Sequence, residues 1–218
     1  SEGGVMLTVY GRVTSSNVQA VLWLLEELEL EYNRLDYGFT FGGLDTPDYQ
    51  AMNPHGKIPV LKVGDMAIFE SAAIIRYLAT TYAGETLWPS DPLRRSQIDM
   101  WAEWAKNSVA AGFTGPIFWL VVRTKPENRD PELIIKNTIK LDKEMAKADA
   151  QLQKHDFLCG PDFTIADIQL GHVLYRYYDV EIERSDLPAL RAYYDRLTDR
   201  EAFQKSVMVS YDVLRNSF

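Results

Sequence analysis

The spacing of apolar residues changes once along the chain, at the Gly- and Pro-containing stretch GETLWPSDP, residues 84–92. Before this stretch, short apolar runs alternate with helical patterns. After it, strand-like runs disappear and long helical patterns continue to the end of the sequence. Strands alternating with helices are typical of α/β units, whereas helical patterns alone indicate a helix bundle. We therefore expect an α/β domain over residues 6–83, a linker over 84–92 and an all-helical domain over 93–218.

The first half of the α/β part has the pattern of a strand–helix–strand unit. MLTVY at 6–10 predicts a strand, and apolar residues spaced as on one helical face predict a helix over about 16–30. EYNRLDY at 31–37 alternates well enough for a second strand. TPDYQAM then favours a short helix with Pro47 near its first turn.

The second half of this part has the pattern of a hairpin followed by a helix. IPVLK and MAIFE flank the turn Val63-Gly64-Asp65, and so short a connection requires antiparallel strands. Ser71 is then expected to cap a helix over 72–83. The complete order, βαβαββα, predicts a mixed four-strand sheet with helices on both faces.

Four long helical patterns follow the linker. The third begins with Thr164-Ile165-Ala166-Asp167, which has the S/T-x-x-D form of a helix start. We interpret Asp167 as a structural residue whose replacement by Ala costs about 0.5–2 kcal/mol through the lost cap. The four predicted helices cover residues 93–113, 132–155, 164–180 and 187–200.

Composition excludes several classes of function. The formal net charge is −8 and no Lys/Arg stripe is present, which argues against binding along a nucleic-acid backbone. No apolar run approaches the roughly 18 residues of a membrane span. One cysteine, Cys159, excludes an internal disulfide, and the N-terminus lacks a basic stretch followed by an apolar one. We therefore expect a cytoplasmic protein that binds no nucleic acid, no membrane and no metal.

The stretch RVTSSNVQ, residues 12–19, joins the first strand to the first helix and contains two adjacent serines. Ser16 and Gln19 fit the capping box S/T-x-x-E/Q, which assigns Ser16 to the helix cap. Ser15 then lies just outside the helix with its hydroxyl free. Asn17 is a second candidate hydrogen-bond donor. The pair of serines therefore predicts one structural and one chemically available hydroxyl.

Two further motifs are open to both a structural and a binding interpretation. Pro59 at the start of a strand is either an ordinary edge proline or follows a cis bond, which would direct the Ile58 N–H and C=O toward an extended peptide-like ligand. Glu70-Ser71 precedes a helix, where Ser71 could simply cap it. The same pair could instead bind an amino-acid head group, with Glu70 on the ammonium and the helix N-terminus on the carboxylate.

Taken in order, these motifs resemble the cytosolic glutathione S-transferases, and most closely the bacterial, theta-like members with a serine in the first loop. The resemblance covers nearly the whole chain and rests on YGRVTSSNVQAVLWLLEEL, NPHGKIPVL, FESAAIIRYLA and FTIADIQLG. It implies a thioredoxin-like first domain that binds glutathione and a second, helical domain that supplies the pocket for a hydrophobic co-substrate. It also implies a homodimer active in detoxification.

The resemblance also implies a role for each candidate residue. Glu70 and Ser71 would hold the γ-glutamyl end of glutathione, and Ile58, before cis-Pro59, would pair with the cysteinyl unit. His55 or Lys57 would help with the tripeptide. Ser15 is expected to be the catalytic hydroxyl with Asn17 as a second donor. The co-substrate pocket is expected to contain Phe113, Phe118 and Arg123.

A serine hydroxyl is sufficient to activate the thiol. Lowering a thiol pKa of about 8.5 by two units needs about 2.7 kcal/mol. A charge-assisted hydrogen bond supplies roughly 1.5–3 kcal/mol, and a helix N-terminus adds about 0.3–1 kcal/mol. Glutathione is thus expected as co-substrate, with its thiolate attacking an electrophile. The alternatives are a glutathione-dependent disulfide or peroxide reductase, a zeta-type isomerase, and a non-catalytic glutathione-binding module.

Overall fold

A computed structural model describes residues 4–218, and its α/β part contains four strands and three α-helices. A single 3₁₀ turn, Phe39–Phe41, lies between β2 and α2. The elements follow the predicted βαβαββα order, although β2 is shorter than the predicted 31–37. They are β1 Leu7–Tyr10, α1 Ser16–Glu27, β2 Asn33–Leu35, α2 Pro47–Met52, β3 Val60–Val63, β4 Met66–Phe69 and α3 Ser71–Tyr82.

The four strands form one mixed sheet in the order β2-β1-β3-β4. β1 is parallel to β2, which requires the crossover through α1, and β1 is antiparallel to β3. β3 and β4 form the predicted hairpin, in which Val63 pairs with Met66 across the turn. The predicted mixed sheet is confirmed, together with the thioredoxin-like arrangement that it implies.

The helical part begins with α4, Pro92–Trp104, and continues without a break as far as Arg123. Two stretches of this long helix, Ala105–Ala110 and Thr114–Arg123, have the wider π-helical turn. The remaining helices are α5 Ala111–Phe113 between those stretches, α6 Pro131–Leu152, α7 Ile165–Gly171, α8 Leu174–Asp179, α9 Pro188–Thr198 and α10 Glu201–Ser206.

Most predicted helices differ from the structure by a few residues at their ends, and two differ by more. The helix predicted to end at residue 113 passes through Pro116, because the π-helical turn re-routes the backbone hydrogen bonds around a residue that has no amide to donate. Asn137 donates to the Pro116 carbonyl at 2.7 Å and so satisfies it. The helix predicted over 164–180 is divided at His172 and Val173 into α7 and α8.

Helix α1 is buried between the sheet and the helical part. Its Trp23 is fully buried, and the ring centroids of Phe163 and Phe203 lie 5.5 and 4.9 Å from the indole. Arg200 and Glu27 add an ion pair of 2.8 Å between the two parts. Within residues 4–218, no helix is both long enough and apolar enough to cross a bilayer.

Candidate active site

The strand register brings the three candidate loops to one edge of the sheet. Tyr10, at the end of β1, pairs with Val60 at the start of β3, and Val60 pairs with Phe69 at the end of β4. The loop after β1 carries Ser15, the residues before β3 are Ile58-Pro59, and Glu70-Ser71 follow β4 directly. Residues from three distant parts of the sequence therefore share one edge.

Ser15, not Ser16, is the N-cap of α1. Its backbone is extended, with φ −87° and ψ 127°, and its Oγ accepts from the Val18 amide at 3.4 Å. Ser16 is the first helical residue and is buried, while Gln19 donates to the Val13 carbonyl at 2.8 Å instead of reaching the cap. The predicted Ser16–Gln19 capping box is wrong because the helix begins one residue earlier than that motif requires.

The Ser15 hydroxyl remains able to donate a hydrogen bond. Its oxygen accepts the Val18 amide through a lone pair, so the hydroxyl proton is free to point toward a ligand. Ser15 is half-buried and Asn17 is exposed. Gly11 lets this loop pack closely against the first turn of α1. At its φ of 155°, an added Cβ would lie 2.4 Å from a Val18 methyl group. Only glycine fits there.

The Ile58–Pro59 peptide bond is cis, so Pro59 is not an ordinary edge proline. Within residues 4–218, neither the N–H nor the C=O of Ile58 has a hydrogen-bond partner. The preceding carbonyl, of Lys57, is held by the Tyr49 hydroxyl at 2.6 Å and the Asn53 side chain at 3.0 Å. The loop is thus fixed while the Ile58 backbone stays available to an extended ligand.

Glu70 is the N-cap of α3, and Ser71 is its first residue. The prediction that Ser71 caps the helix is therefore wrong. Glu70 has a positive φ of 74° and its side chain makes no capping bond, so no side chain occupies the first amides of α3. The Glu70 carboxylate is exposed and Ser71 is buried beside it. This arrangement presents a carboxylate and a helix N-terminus side by side.

Lys106 lies beside Glu70 and Ser71 at the start of α3, and the sequence did not predict it. It comes from the first π-helical stretch, and its ammonium donates to the Ser71 Oγ at 2.9 Å. Burial lowers the pKa of Lys106, while the negative charges of Glu70 and Glu103 act in the opposite direction. A carboxylate bound at Ser71 would meet this cation directly. No local pattern marks Lys106, because only tertiary packing brings it to the end of the sheet.

The other candidate residues lie in two different surroundings. His55 and Lys57 are exposed in the loop before β3, and the His55 ring packs edge-to-face on Phe69 at 5.4 Å. In the helical part, Phe113 and Phe118 are buried core side chains whose rings lie 6.1 Å apart, so neither presents an open surface.

Arg123 lies at the end of the long helix and is nearly buried. Its Nε donates to the Ser217 hydroxyl at 3.0 Å, and its guanidinium carbon lies 5.3 Å from the centroid of Phe39 in the α/β part. Arg123 therefore faces the first part of the chain, as its candidate role requires.

Cys159 has the surroundings of an unreactive thiol. It is partly buried, and burial raises its pKa to about 12. A thiol with so high a pKa is almost entirely protonated at neutral pH and is a poor nucleophile.

The thioredoxin-like sheet, the cis-proline loop and the helical second part are the architecture expected from the resemblance to the glutathione S-transferases, and the comparisons agree. Residues 5–80 match the glutathione S-transferase N-terminal domain, and residues 137–196 match the glutathione S-transferase C-terminal domain. Glutathione S-transferase GstB of Escherichia coli is 37% identical over 206 residues, covering 94% of this chain and 99% of that protein. Glutathione S-transferase 3 of Zea mays is 31% identical, with 92% and 93% covered.

A solved structure gives the same result. The theta class glutathione S-transferase of Xanthomonas axonopodis pv. citri, with glutathione bound, superposes with a TM-score of 0.89 at 40% identity, covering 94% of this chain and 99% of that one. The chain therefore belongs to the glutathione S-transferase family and is a glutathione transferase.

Proposed function

We propose that the Ser15 hydroxyl donates a hydrogen bond to the glutathione thiolate, which then attacks a hydrophobic electrophile. The observation that carries this proposal is the position of Ser15, half-exposed at the N-terminus of α1 and at the sheet edge that also holds Ile58. The helix N-terminus adds a favourable potential for the thiolate. Asn17, exposed in the first turn of α1, is a second donor.

The rest of glutathione extends along the same edge. Ile58 pairs its free N–H and C=O with the cysteinyl unit, as an added strand would. Glu70 binds the γ-glutamyl ammonium, and Ser71 with the α3 N-terminus binds its carboxylate. Lys106, whose ammonium lies beside Ser71, binds the same carboxylate directly. His55 and Lys57 assist the remainder of the tripeptide.

The proposed division of labour follows the two parts of the chain. Residues 6–83 bind glutathione, residues 84–92 link the two parts, and residues 93–218 supply the co-substrate site. In that site Arg123 faces Phe39 of the α/β part, while Phe118 packs against Phe113 and supports the site from the buried core. The reaction with an aryl or alkyl halide forms a carbon–sulfur bond and releases halide, while the thiol proton passes to solvent.

The remaining proposals concern the setting of the enzyme. A cytoplasmic location agrees with the single, unpaired Cys159. A homodimer agrees with the large apolar side chains that β4 and α4 expose, which include Met66, Leu93 and Met100. A role in detoxification follows from the conjugation chemistry itself.

Ser15→Gly tests the serine role, because glycine keeps most of the capping free energy while removing the hydroxyl. We expect kcat/KM for conjugation of glutathione with 1-chloro-2,4-dinitrobenzene to fall roughly 10- to 150-fold, the equivalent of a charge-assisted hydrogen bond. The acidic limb of its pH profile should move up by about one to two units. Ser15→Thr should retain most of the activity.

Asp130→Gly is the matched control, since it removes the side-chain N-cap of a different helix, α6. Unchanged activity in Ser15→Gly would contradict the serine role. Turnover of a small mixed disulfide with no aryl conjugation would instead support a reductase. Tight glutathione binding without any turnover would support a binding module.

A further inference from the structure

Three arginines from distant parts of the chain converge beside the candidate catalytic serine. Arg12 lies in the loop after β1, Arg123 ends the long helix and Arg176 lies in α8. Arg12 donates to the Thr14 hydroxyl at 2.7 Å, and Arg176 donates to the Thr14 carbonyl at 2.6 Å. Thr14 is bonded directly to Ser15. We name Arg12, Arg123 and Arg176 the arginine cluster.

Aromatic rings connect the members of the arginine cluster. The guanidinium carbons of Arg12 and Arg123 each lie 5.3 Å from the centroid of the same ring, Phe39. The Arg176 guanidinium carbon lies 4.5 Å from the centroid of Phe118. These cation–π contacts hold the side chains in place but do not neutralise their charge.

No carboxylate of the described residues neutralises the arginine cluster. Of the ion pairs within residues 4–218, none includes Arg12, Arg123 or Arg176. The Nε atoms of Arg12 and Arg176 are buried without a hydrogen-bond partner. The whole of Arg176 is only 3% exposed, so water does not compensate for the missing partner. Tyr211, which packs against Arg176, donates its hydroxyl to Asp179.

Burial and the mutual repulsion of the three arginines lower the pKa values of Arg12 and Arg176. Burial, reinforced by the charge of Arg123, lowers the pKa of Arg12 to about 10. Burial, with the charges of Arg12 and Arg123, also lowers the pKa of Arg176 to about 10. Unpaired buried cations are costly, and an anion placed among them recovers much of that cost. The planar guanidinium fork matches a carboxylate in particular.

We propose that the arginine cluster binds a carboxylate carried by the electrophilic co-substrate, so that the preferred substrates of this enzyme are anionic. This inference rests on the proposed function, since the thiolate at Ser15 must be the nucleophile. The carboxylate anchors the substrate beside Thr14, and the electrophilic carbon then lies next to the thiol. With an aryl chloride, the carbon–sulfur bond forms, the carbon–chlorine bond breaks and chloride leaves with its electron pair.

Glutathione itself carries two carboxylates, so the source of the anion must be distinguished. In the proposed site the γ-glutamyl carboxylate is bound at Ser71 and Lys106, away from the arginine cluster. The glycine carboxylate is the remaining competitor. Loss of a contact to that group would raise KM for glutathione with every co-substrate, whereas loss of the co-substrate contact acts on the anionic substrate alone.

A pair of substrates that differ in one charge tests the proposal. We would measure kcat/KM for 4-chloro-3-nitrobenzoate and 4-chloro-3-nitrobenzamide, each divided by its uncatalysed rate with glutathione. The wild type should prefer the benzoate by about tenfold or more, and this preference should weaken as ionic strength rises. Arg12→Met should abolish most of the preference, and Arg12→Lys, which keeps the charge, should retain more of it.

Equal catalysis of the two substrates by the wild type would overturn the proposal. So would an Arg12→Met variant that keeps the full preference, or whose only change is a higher KM for glutathione with both substrates. Turnover of the benzamide that depends on Ser15, without any benzoate preference, would leave the proposed function intact and remove only this inference.

Calorimetry with the two glutathione conjugates provides a test that needs no turnover. The conjugate that carries the carboxylate should bind the native protein about tenfold or more tightly than the carboxamide conjugate. Equal affinities would overturn the proposal, whether or not the enzyme turns over either chloride.

Discussion

At the scale of single residues, Lys106 is a side chain of the helical part that reaches the start of α3 in the α/β part. Its ammonium is 2.9 Å from the Ser71 Oγ and is influenced by the charges of Glu70 and Glu103. A partly buried ammonium of this kind binds a carboxylate more strongly than an exposed one, because less solvent screens the pair. Its contribution should therefore be to glutathione affinity rather than to thiol activation.

We expect Lys106→Met to raise KM for glutathione roughly 10- to 150-fold, the equivalent of one hydrogen bond to a charged group, with a much smaller change in kcat. Steady-state kinetics at varied glutathione concentration measures both. Lys147→Met is the control, since Lys147 pairs with Glu144 on the exposed side of α6. An unchanged KM, or equal losses in kcat and kcat/KM, would show that Lys106 does not bind the γ-glutamyl end.

The candidate residues that the sequence predicts are those with local signals. Ser15 lies at a strand-to-helix junction, Ile58 precedes a proline and Glu70 directly precedes a helix, and each of these patterns is short. Lys106 and Arg176 have no such signal, because their partners Ser71 and Thr14 lie 35 and 162 positions away. The predicted N-caps of α1 and α3 are each one residue too late, because two adjacent polar residues are candidates for the same cap position.

At the scale of elements, the start of α7 depends on one buried carboxylate. The predicted capping box at Thr164 is confirmed, with Asp167 accepting from the Thr164 amide at 2.9 Å. Asp167 also accepts from the Leu158 amide at 3.0 Å and from the Tyr193 hydroxyl at 2.8 Å. It therefore joins α7 to the preceding loop and to α9, a role larger than capping alone.

The stability contributed by Asp167 should depend on pH with a defined sign. Burial raises the pKa of Asp167 to about 6, although the hydrogen bonds that it accepts act in the opposite direction. Because the unfolded value is about 3.9, the folded state binds more protons between about pH 4 and 6. This contribution is therefore fully present below pH 4 and is lost as pH rises through about 6.

Asp167→Asn tests this prediction because asparagine does not titrate. We expect the wild type to lose about 3 kcal/mol relative to the variant between pH 4 and pH 7, the equivalent of about two pKa units. Urea unfolding of both proteins across that range measures the difference, in which the other titrating groups cancel. A difference that stays constant or grows with pH would contradict the raised pKa.

The elements that the sequence does not predict correctly are those without a local cause. Thr114-Gly115-Pro116 has the composition of a helix stop, yet the helix continues to Arg123 with π-helical turns. Tertiary contacts such as the bond from Asn137 to the Pro116 carbonyl support that continuation. Helix α10, Glu201–Ser206, was not predicted at all, because six residues carry too weak a periodicity to distinguish a helix from a loop.

At the scale of the whole molecule, the two parts share one core through α1. Trp23 extends from α1 into the helical part, where it contacts Phe163 and Phe203. The change in periodicity at residues 84–92 predicts the order of the two parts. It does not predict their shared core, because the apolar face of α1 could be covered by several different surfaces. A side chain that fills both parts makes their stabilities dependent on each other.

Gly171 in α7 lies where this shared core leaves no room for an added methyl group. A Cβ added there would lie 2.7 Å from both the Trp23 ring and a Leu197 methyl group. We expect Gly171→Ala to lower the free energy of unfolding by about 1–3 kcal/mol, the usual cost of overpacking a core. The sheet and the helices should still unfold in one transition, because Trp23 and Leu197 transmit the strain to both parts.

Urea unfolding monitored by far-UV and near-UV circular dichroism tests both statements, and Gly84→Ala is the matched control. Gly84 lies in the linker, and an added Cβ there would meet nothing within 4 Å. That variant should be within about 0.5 kcal/mol of the wild type. A neutral Gly171→Ala would show that the core around Trp23 relaxes easily. Two separate transitions in the wild type would show that the parts are held together too weakly by Trp23 to unfold as one.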